Sequence, residues 1–457
     1  MPDQDRRLLE DPVAPTLRRL AWPMLLGIAA IVVFNVVDTF WVGRLGPEAL
    51  AAMSFTFPVV MVVTSLAMGI SVGATAVIAR AIGESEQEAV RRLTSAALLL
   101  ALLVVGVVAA VGLVTLGPLF RALGASEELL PLVAAYMVPW YLGVGLLVVP
   151  MVGNGAIRAT GDTRTPSLVM VVAGLTNAVL DPLLIFGIGP FPALGLQGAA
   201  LATVGSYSLA LIAALYLLGR RLRLLCRPTL ASLPASWRRI LRIGLPAAAT
   251  FLIGPVAIGL LTRLVSGHGD EAVAGFGVGT RIESLALIPI GALSTAVTPF
   301  IAQNLGANNC ERIRAAVRAC AWTALVVGLG AALVLAILAR PLGRLFNSDP
   351  VVIAAAASYL WAVPLSFPGL ALAQLMGSCF NALDRPLRAT FLVAVRLVGL
   401  AVPLAALGSA LFGLIGLFGG IAAANLAVGG LALWLVRRQL SEVEQRAPRP
   451  APAVAPA

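Results

Sequence analysis

The chain has 457 residues, 60% of them hydrophobic and only 12% charged, with a formal net charge of +11. Soluble domains carry roughly 25% charged residues, so this composition excludes an ordinary soluble fold. There is no lysine and a single histidine, which excludes a P-loop lysine, a lysine Schiff base and a histidine-ligated metal centre.

In chain order, residues 1–19 are polar and mixed in charge, with no cleavage site of small residues after them, so they read as a cytoplasmic N-terminal segment before an uncleaved span. Apolar runs then recur at about 20–43, 49–79, 94–117, 129–156, 167–187 and 195–219. After an Arg-rich linker, 220–239, they resume at about 243–266, 272–302, 315–339, 351–378, 387–408 and 413–436. Each is near the roughly 20 residues that cross a bilayer as a helix. The reading is an all-α polytopic membrane protein with twelve transmembrane helices. Helices 1–6 form an N-lobe (20–219) and helices 7–12 a C-lobe (240–437). Residues 438–457, ending in a Pro/Ala-rich run, are expected to be a disordered cytoplasmic tail.

The positive charge sets orientation rather than marking a nucleic-acid partner. Of 32 arginines, 25 fall on the side that holds both termini. Only Arg44, Arg121, Arg340 and Arg344 lie in the opposite loops, and Arg263, Arg281 and Arg396 lie within spans. This bias puts both termini in the cytoplasm of a multi-pass plasma membrane protein. Cysteines 226, 310, 320 and 379 show no paired spacing, so neither a disulfide framework nor a zinc site is expected. His268 falls in a short external loop and reads as simply solvated. No cofactor is implied, and the energy source must be an ion gradient or another polypeptide.

The sequence matches itself at one fixed offset of 223: Pro23 on Pro246, Gly46 on Gly269, Glu48 on Glu271 and Gly83 on Gly306. The match continues with Glu88 on Glu311, Arg91 on Arg314, Pro118 on Pro341 and Tyr136 on Tyr359. Six spans per repeat is an even number, so the two repeats are parallel and a site is expected between them. A two-lobed transporter follows, and one chain suffices to form its cleft, so a monomer is expected.

The duplication also exposes a difference. Asp38, Asn177 and Asp181 all map onto leucines, at 261, 400 and 404. A charge inside a span costs about 2.5–3.5 kcal/mol even on the milder insertion scales, and is usually kept for function. Asp38 and Asp181 each lie six residues, roughly 9 Å, from the outer end of their helices, and Thr203 lies roughly 12 Å into helix 6. Asn177 is one turn from Asp181. Asp38, Asn177, Asp181 and Thr203 therefore form a hard-oxygen set suited to H⁺ or Na⁺. Two such carboxyls titrate as one coupled unit. A hydrogen-bonded network that only fixes helix packing is the alternative. Asn35, Met53, Phe57, Trp140 and Glu283 are candidates to line a cavity or touch substrate. Glu283 also reads as half of a neutralising ion pair with Arg281 or Arg396 in the C-lobe.

These residues resemble the multidrug and toxic compound extrusion (MATE) family, in its DinF-like branch. VVDTFWVGRLG, IRATGDTRTP, TNAVLDPLLIFG, GLQGAALAT and PFIAQNLGANN look like family patterns, in order, across residues 15–437. The resemblance implies two six-helix lobes that alternate between outward- and inward-facing states. It also implies export of cationic or amphipathic organic compounds in exchange for H⁺ or Na⁺. In that branch the cation site is formed by residues matching Asp38, Asn177, Asp181 and Thr203. The NorM-like branch carries an acidic residue in helix 7, and 245–266 contains none, which favours coupling through the N-lobe. A flippase for a lipid-linked saccharide or another envelope precursor is the runner-up. An intramembrane hydrolase would need a paired acidic motif at a cytosolic face, which is absent, so no enzyme is expected.

Overall fold

A computed structural model describes residues 8–446, and the chain is helical through nearly all of them. The first half contains α1 (Val13–Gly43), α2 (Pro47–Gly83), α3 (Gln87–Ala122), α4 (Leu130–Ala159), α5 (Arg164–Phe186) and α6 (Leu196–Tyr216). The second contains α7 (Leu233–Ser266), α8 (Asp270–Ala286), α9 (Ile288–Gly306), α10 (Cys310–Phe346), α11 (Pro350–Ala362), α12 (Phe367–Ala382), α13 (Pro386–Ala394) and α14 (Val402–Arg446). Among the described residues, ten helices are long and apolar enough to cross a membrane, and the pair α8–α9, bent by 45°, makes an eleventh. The last of the ten, residues 386–442, reverses at Gly413 (φ 64°, ψ −146°), a conformation open essentially to glycine alone. Beyond it the two arms close so tightly that a Cβ on Gly408 or Gly416 would strike the other's carbonyl. Counted as two, these arms complete the twelve spans.

The boundaries differ from expectation at three places. Helix 1 begins at Val13 because Pro12 precedes it and donates no hydrogen bond it would have to lose. Helix 7 begins at Leu233, inside the expected linker, with Pro234 in its first turn and Trp237 Nε1 donating to the Ala96 carbonyl (2.9 Å). The expected disordered tail is helical from 438 to Arg446; its remainder, 447–457, lies outside the described residues, as do residues 1–7.

The repeat holds at the level of single contacts. Ser167 of α5 donates to the Pro23 carbonyl of α1; 223 positions on, Thr390 of α13 donates to the Pro246 carbonyl of α7 (2.8 Å). Across the two halves, a Cβ on Gly83 would lie 2.0 Å from the carbonyl of Gln303, and one on Gly306 would lie 2.3 Å from that of Arg80. These two contacts exchange under the same offset, as a two-fold axis along the membrane normal requires.

The seam between the lobes is cytoplasmic. Gly69 and Gly73 of α2 bring its backbone against Gly244 and Ile240 of α7, with no side chain between. Small residues permit such approach in a membrane, where dispersion and polar contacts replace the hydrophobic effect. Polar contacts finish the seam: Gln303 Nε2 donates to the Ala159 carbonyl (2.7 Å), and Asn304 Nδ2 to that of Leu8 (3.1 Å). Arg312 donates to the carbonyls of Leu8 (3.1 Å) and Asp11 (2.6 Å) and to Asn304 Oδ1 (3.1 Å). Toward the outside, α8 packs on α11 of its own lobe, while Phe57 of α2 and Val256 of α7 are left exposed. With the inner ends joined and these outer surfaces free, the cleft opens outward.

Candidate functional site

In the N-lobe, α1 and α5 run side by side. A glycine at 174 leaves the room that the Phe34 ring occupies; farther out, Asp38 stands one turn beyond Phe34 and Asp181 two turns beyond Gly174. Asp181 is fully buried (0% exposed). Asn177 Nδ2 donates to Asp181 Oδ1 (3.2 Å) and reaches Thr203 Oγ1 of α6 at 3.5 Å. Thr203 itself donates to the Ala199 carbonyl (3.0 Å), so a lone pair is what it turns toward Asn177. Asp38 lies within hydrogen-bonding reach of Asp181, so one proton held between them would tie α1 to α5. Asp181 Oδ2 is buried with no donor among the described residues. An orphaned acceptor of this kind is costly unless a proton or cation satisfies it. The residues present therefore fit a small cation bound by oxygen atoms. Pro182 stands inside α5, and its missing N–H leaves the Ala178 carbonyl without its helical donor.

Sequence reasoning did not single out two neighbours of this site. Tyr136 of α4, buried, and Tyr207 of α6, half-buried, lie within electrostatic range of Asp38, and neither is hydrogen-bonded to the aspartates among the described residues. The signal for Tyr136 was its match to Tyr359 in the repeat.

The cavity candidates divide. Asn35 and Phe57 (63% exposed) face open space, and Met53 is half-buried against the N-lobe core. Trp140 is a correction: at 3% exposure it is core, edge-on to Tyr141 with ring centroids 5.6 Å apart, and cannot line a cleft. The expected C-lobe ion pair is also corrected. Among the described residues Glu283 has no arginine within salt-bridge distance; it accepts a hydrogen bond from Tyr359. Arg396 instead donates to Asn425 Oδ1 (3.0 Å), and Arg281 is exposed on another face of α8. The four cysteines are free, and no metal-ligating cluster occurs among the described residues.

A family model described as MatE matches residues 23–183 and again residues 246–407, two segments whose starts are 223 apart. This chain belongs to the MATE family. It is accordingly a multi-pass membrane transporter of the plasma membrane and not an enzyme, and it moves small organic compounds. The FAD transporter of Shewanella oneidensis is 40% identical over 433 residues, 94% of this chain and 96% of its own. The probable multidrug resistance protein NorM of Thermotoga maritima is 30% identical over 74% of this chain and 73% of its own. The crystal structure of the Vibrio cholerae MATE transporter VcmN in the bent form superposes with a TM-score of 0.91 at 30% identity, covering 95% and 98% of the two chains.

Proposed function

We propose that this MATE transporter is a secondary active antiporter that exports amphipathic organic compounds in exchange for H⁺ or Na⁺ taken up at Asp38, Asn177, Asp181 and Thr203. The observation that carries this reading is the buried, unpartnered Oδ2 of Asp181 beside Asp38. The cation enters from outside while the cleft is open that way. Binding draws α1 against α5 and narrows the N-lobe, which expels substrate outward. The lobes then rock about their seam, and the cation leaves to the cytoplasm. By linkage, each ligand weakens the other's binding.

The test is efflux of ethidium, and separately of FAD, from proteoliposomes with either a pH or a Na⁺ gradient imposed. Efflux driven by one gradient and abolished by Asp181→Asn supports the reading and names the ion. Efflux that survives the substitution removes the N-lobe from coupling.

A second reading of the substrate is favoured by the Shewanella oneidensis relative, which matches over nearly the whole of both chains. On that reading the cargo is a flavin nucleotide rather than a cationic drug. FAD efflux without ethidium efflux in the same assay would select it.

A further inference from the structure

Three spans of the C-lobe lose regular helical form around one group of side chains. α8 ends at Ala286, and the chain bends by 45° into α9. A 3-10 turn, Pro364–Ser366, separates α11 from α12. A π-helical stretch, Val395–Ala401, joins α13 to α14. Their N-lobe counterparts α2, α4 and α5 carry no such interruption. Broken membrane helices and π-turns recur where transporters and enzymes bind ligands.

What gathers there is Glu283 from α8, Tyr359 from α11, Ser366 from the 3-10 turn, Arg396 from the π stretch and Asn425 from α14. None has a counterpart of its own type in the N-lobe except Tyr359, which repeats Tyr136. The two charged groups are each fixed from behind by buried neutral partners. Tyr359 donates to Glu283 Oε2 and is wedged edge-on between Phe276 and Phe418, at 5.7 and 5.1 Å. Ser366 Oγ accepts from Asn425 Nδ2 (3.0 Å), and Asn425 Oδ1 accepts from Arg396 Nη1 (3.0 Å). Glu283 and Arg396 feel each other's charge yet make no contact ion pair. Glu283 Oε1 and Arg396 Nε and Nη2 have no hydrogen-bond partner among the described residues, and none is among the buried unpartnered atoms, so each keeps some accessible surface within a half-buried side chain. A salt bridge would have been the cheaper use of this pair; held apart, it presents one acceptor beside fixed donors.

We propose that Glu283 and Arg396 form a substrate head site in the C-lobe that recognises a planar ring with an imide edge, an N–H flanked by carbonyls. Glu283 Oε1 accepts the ring N–H, and Arg396 donates to an adjacent carbonyl. Flavins carry this edge, so the site rests on the flavin reading of the cargo and gives it a chemical basis. Two charge-assisted hydrogen bonds with both charges pre-positioned make recognition by the edge specific. The N-lobe aspartates take no part in it.

The test is equilibrium binding to the purified full-length protein, without a gradient, of riboflavin, N3-methylriboflavin and ethidium. Wild type is expected to bind riboflavin roughly tenfold or more tightly than the N3-methyl compound, which lacks the donor. Glu283→Gln should bring that ratio to about threefold or less, and Arg396→Lys should weaken both flavins by roughly tenfold. A thermal melt of each variant separates loss of fold from loss of site. Equal binding of the two flavins by a protein that binds flavin overturns the head site and leaves the flavin reading standing. Failure of wild type to bind either flavin, with ethidium bound, overturns both.

Discussion

The cytoplasmic seam should act as the switch between outward- and inward-facing states, and Gly83→Ala tests it. An added Cβ would lie 2.0 Å from the Gln303 carbonyl, where 3.4 Å is the start of ordinary contact. The obstacle is backbone on both sides, so the overlap is relieved only by moving α2 from α9, by roughly 1 Å or more. Overpacking of this kind costs about 1–3 kcal/mol. The contact exists only while the inner ends are joined, so the penalty falls on the outward-open state alone. The equilibrium should shift toward inward-open by about 5–150-fold. Spin labels at Ser126 and Ser348, exposed in external loops of opposite lobes, report the change as a shortened distance in a cysteine-free background. Gly306→Ala, its partner under the repeat, should act alike. An unchanged distance distribution, with only a lower melting temperature, would show that these glycines serve packing and not the switch.

Arg312→Ala removes charged donors from the Leu8 and Asp11 carbonyls, at about 1.5–3 kcal/mol for such bonds, and should shorten the same distance. Asn177→Ala takes away the one donor to Asp181 Oδ1 among the described residues and should change cation affinity by roughly tenfold or more, measured by isothermal titration. Thr203→Val should do less, because Thr203 reaches the pair only through Asn177. Trp140→Ala should destabilise the detergent-solubilised protein by about 3–5 kcal/mol without altering the relative rates of different substrates. Phe57→Ala should do the reverse, with stability changed by no more than about 0.5 kcal/mol and substrate preference altered.

The fold and the N-lobe residues were legible because membrane physics writes them plainly. A carboxylate in an apolar span is conspicuous, and the repeat supplied a control in which the same positions are leucine. Tyr136 was visible only as a mark of the repeat, since a tyrosine in a helix is ordinary until its neighbours are known. The C-lobe breaks were less legible, although each carries a proline signal. Pro289 follows the bend at Leu287, and Pro364 and Pro368 bracket the 3-10 turn. Hydropathy averages over such breaks and reports one continuous span. Trp140 and Phe57 look alike to periodicity, which separates a packed face from an unpacked one but not a core from a cleft. The missing ion pair needed side-chain positions: opposite charges at one depth imply attraction, and only the Asn425 and Tyr359 contacts show that each charge is already held.

The central claim is that cation and substrate compete through the aspartate pair, and the most direct test is substrate affinity against pH and against Na⁺. In wild type, affinity for the exported compound should fall as the coupling cation is raised. With both Asp38→Asn and Asp181→Asn it should become independent of that cation. A dependence that persists unchanged in the double variant would place coupling elsewhere and contradict the account.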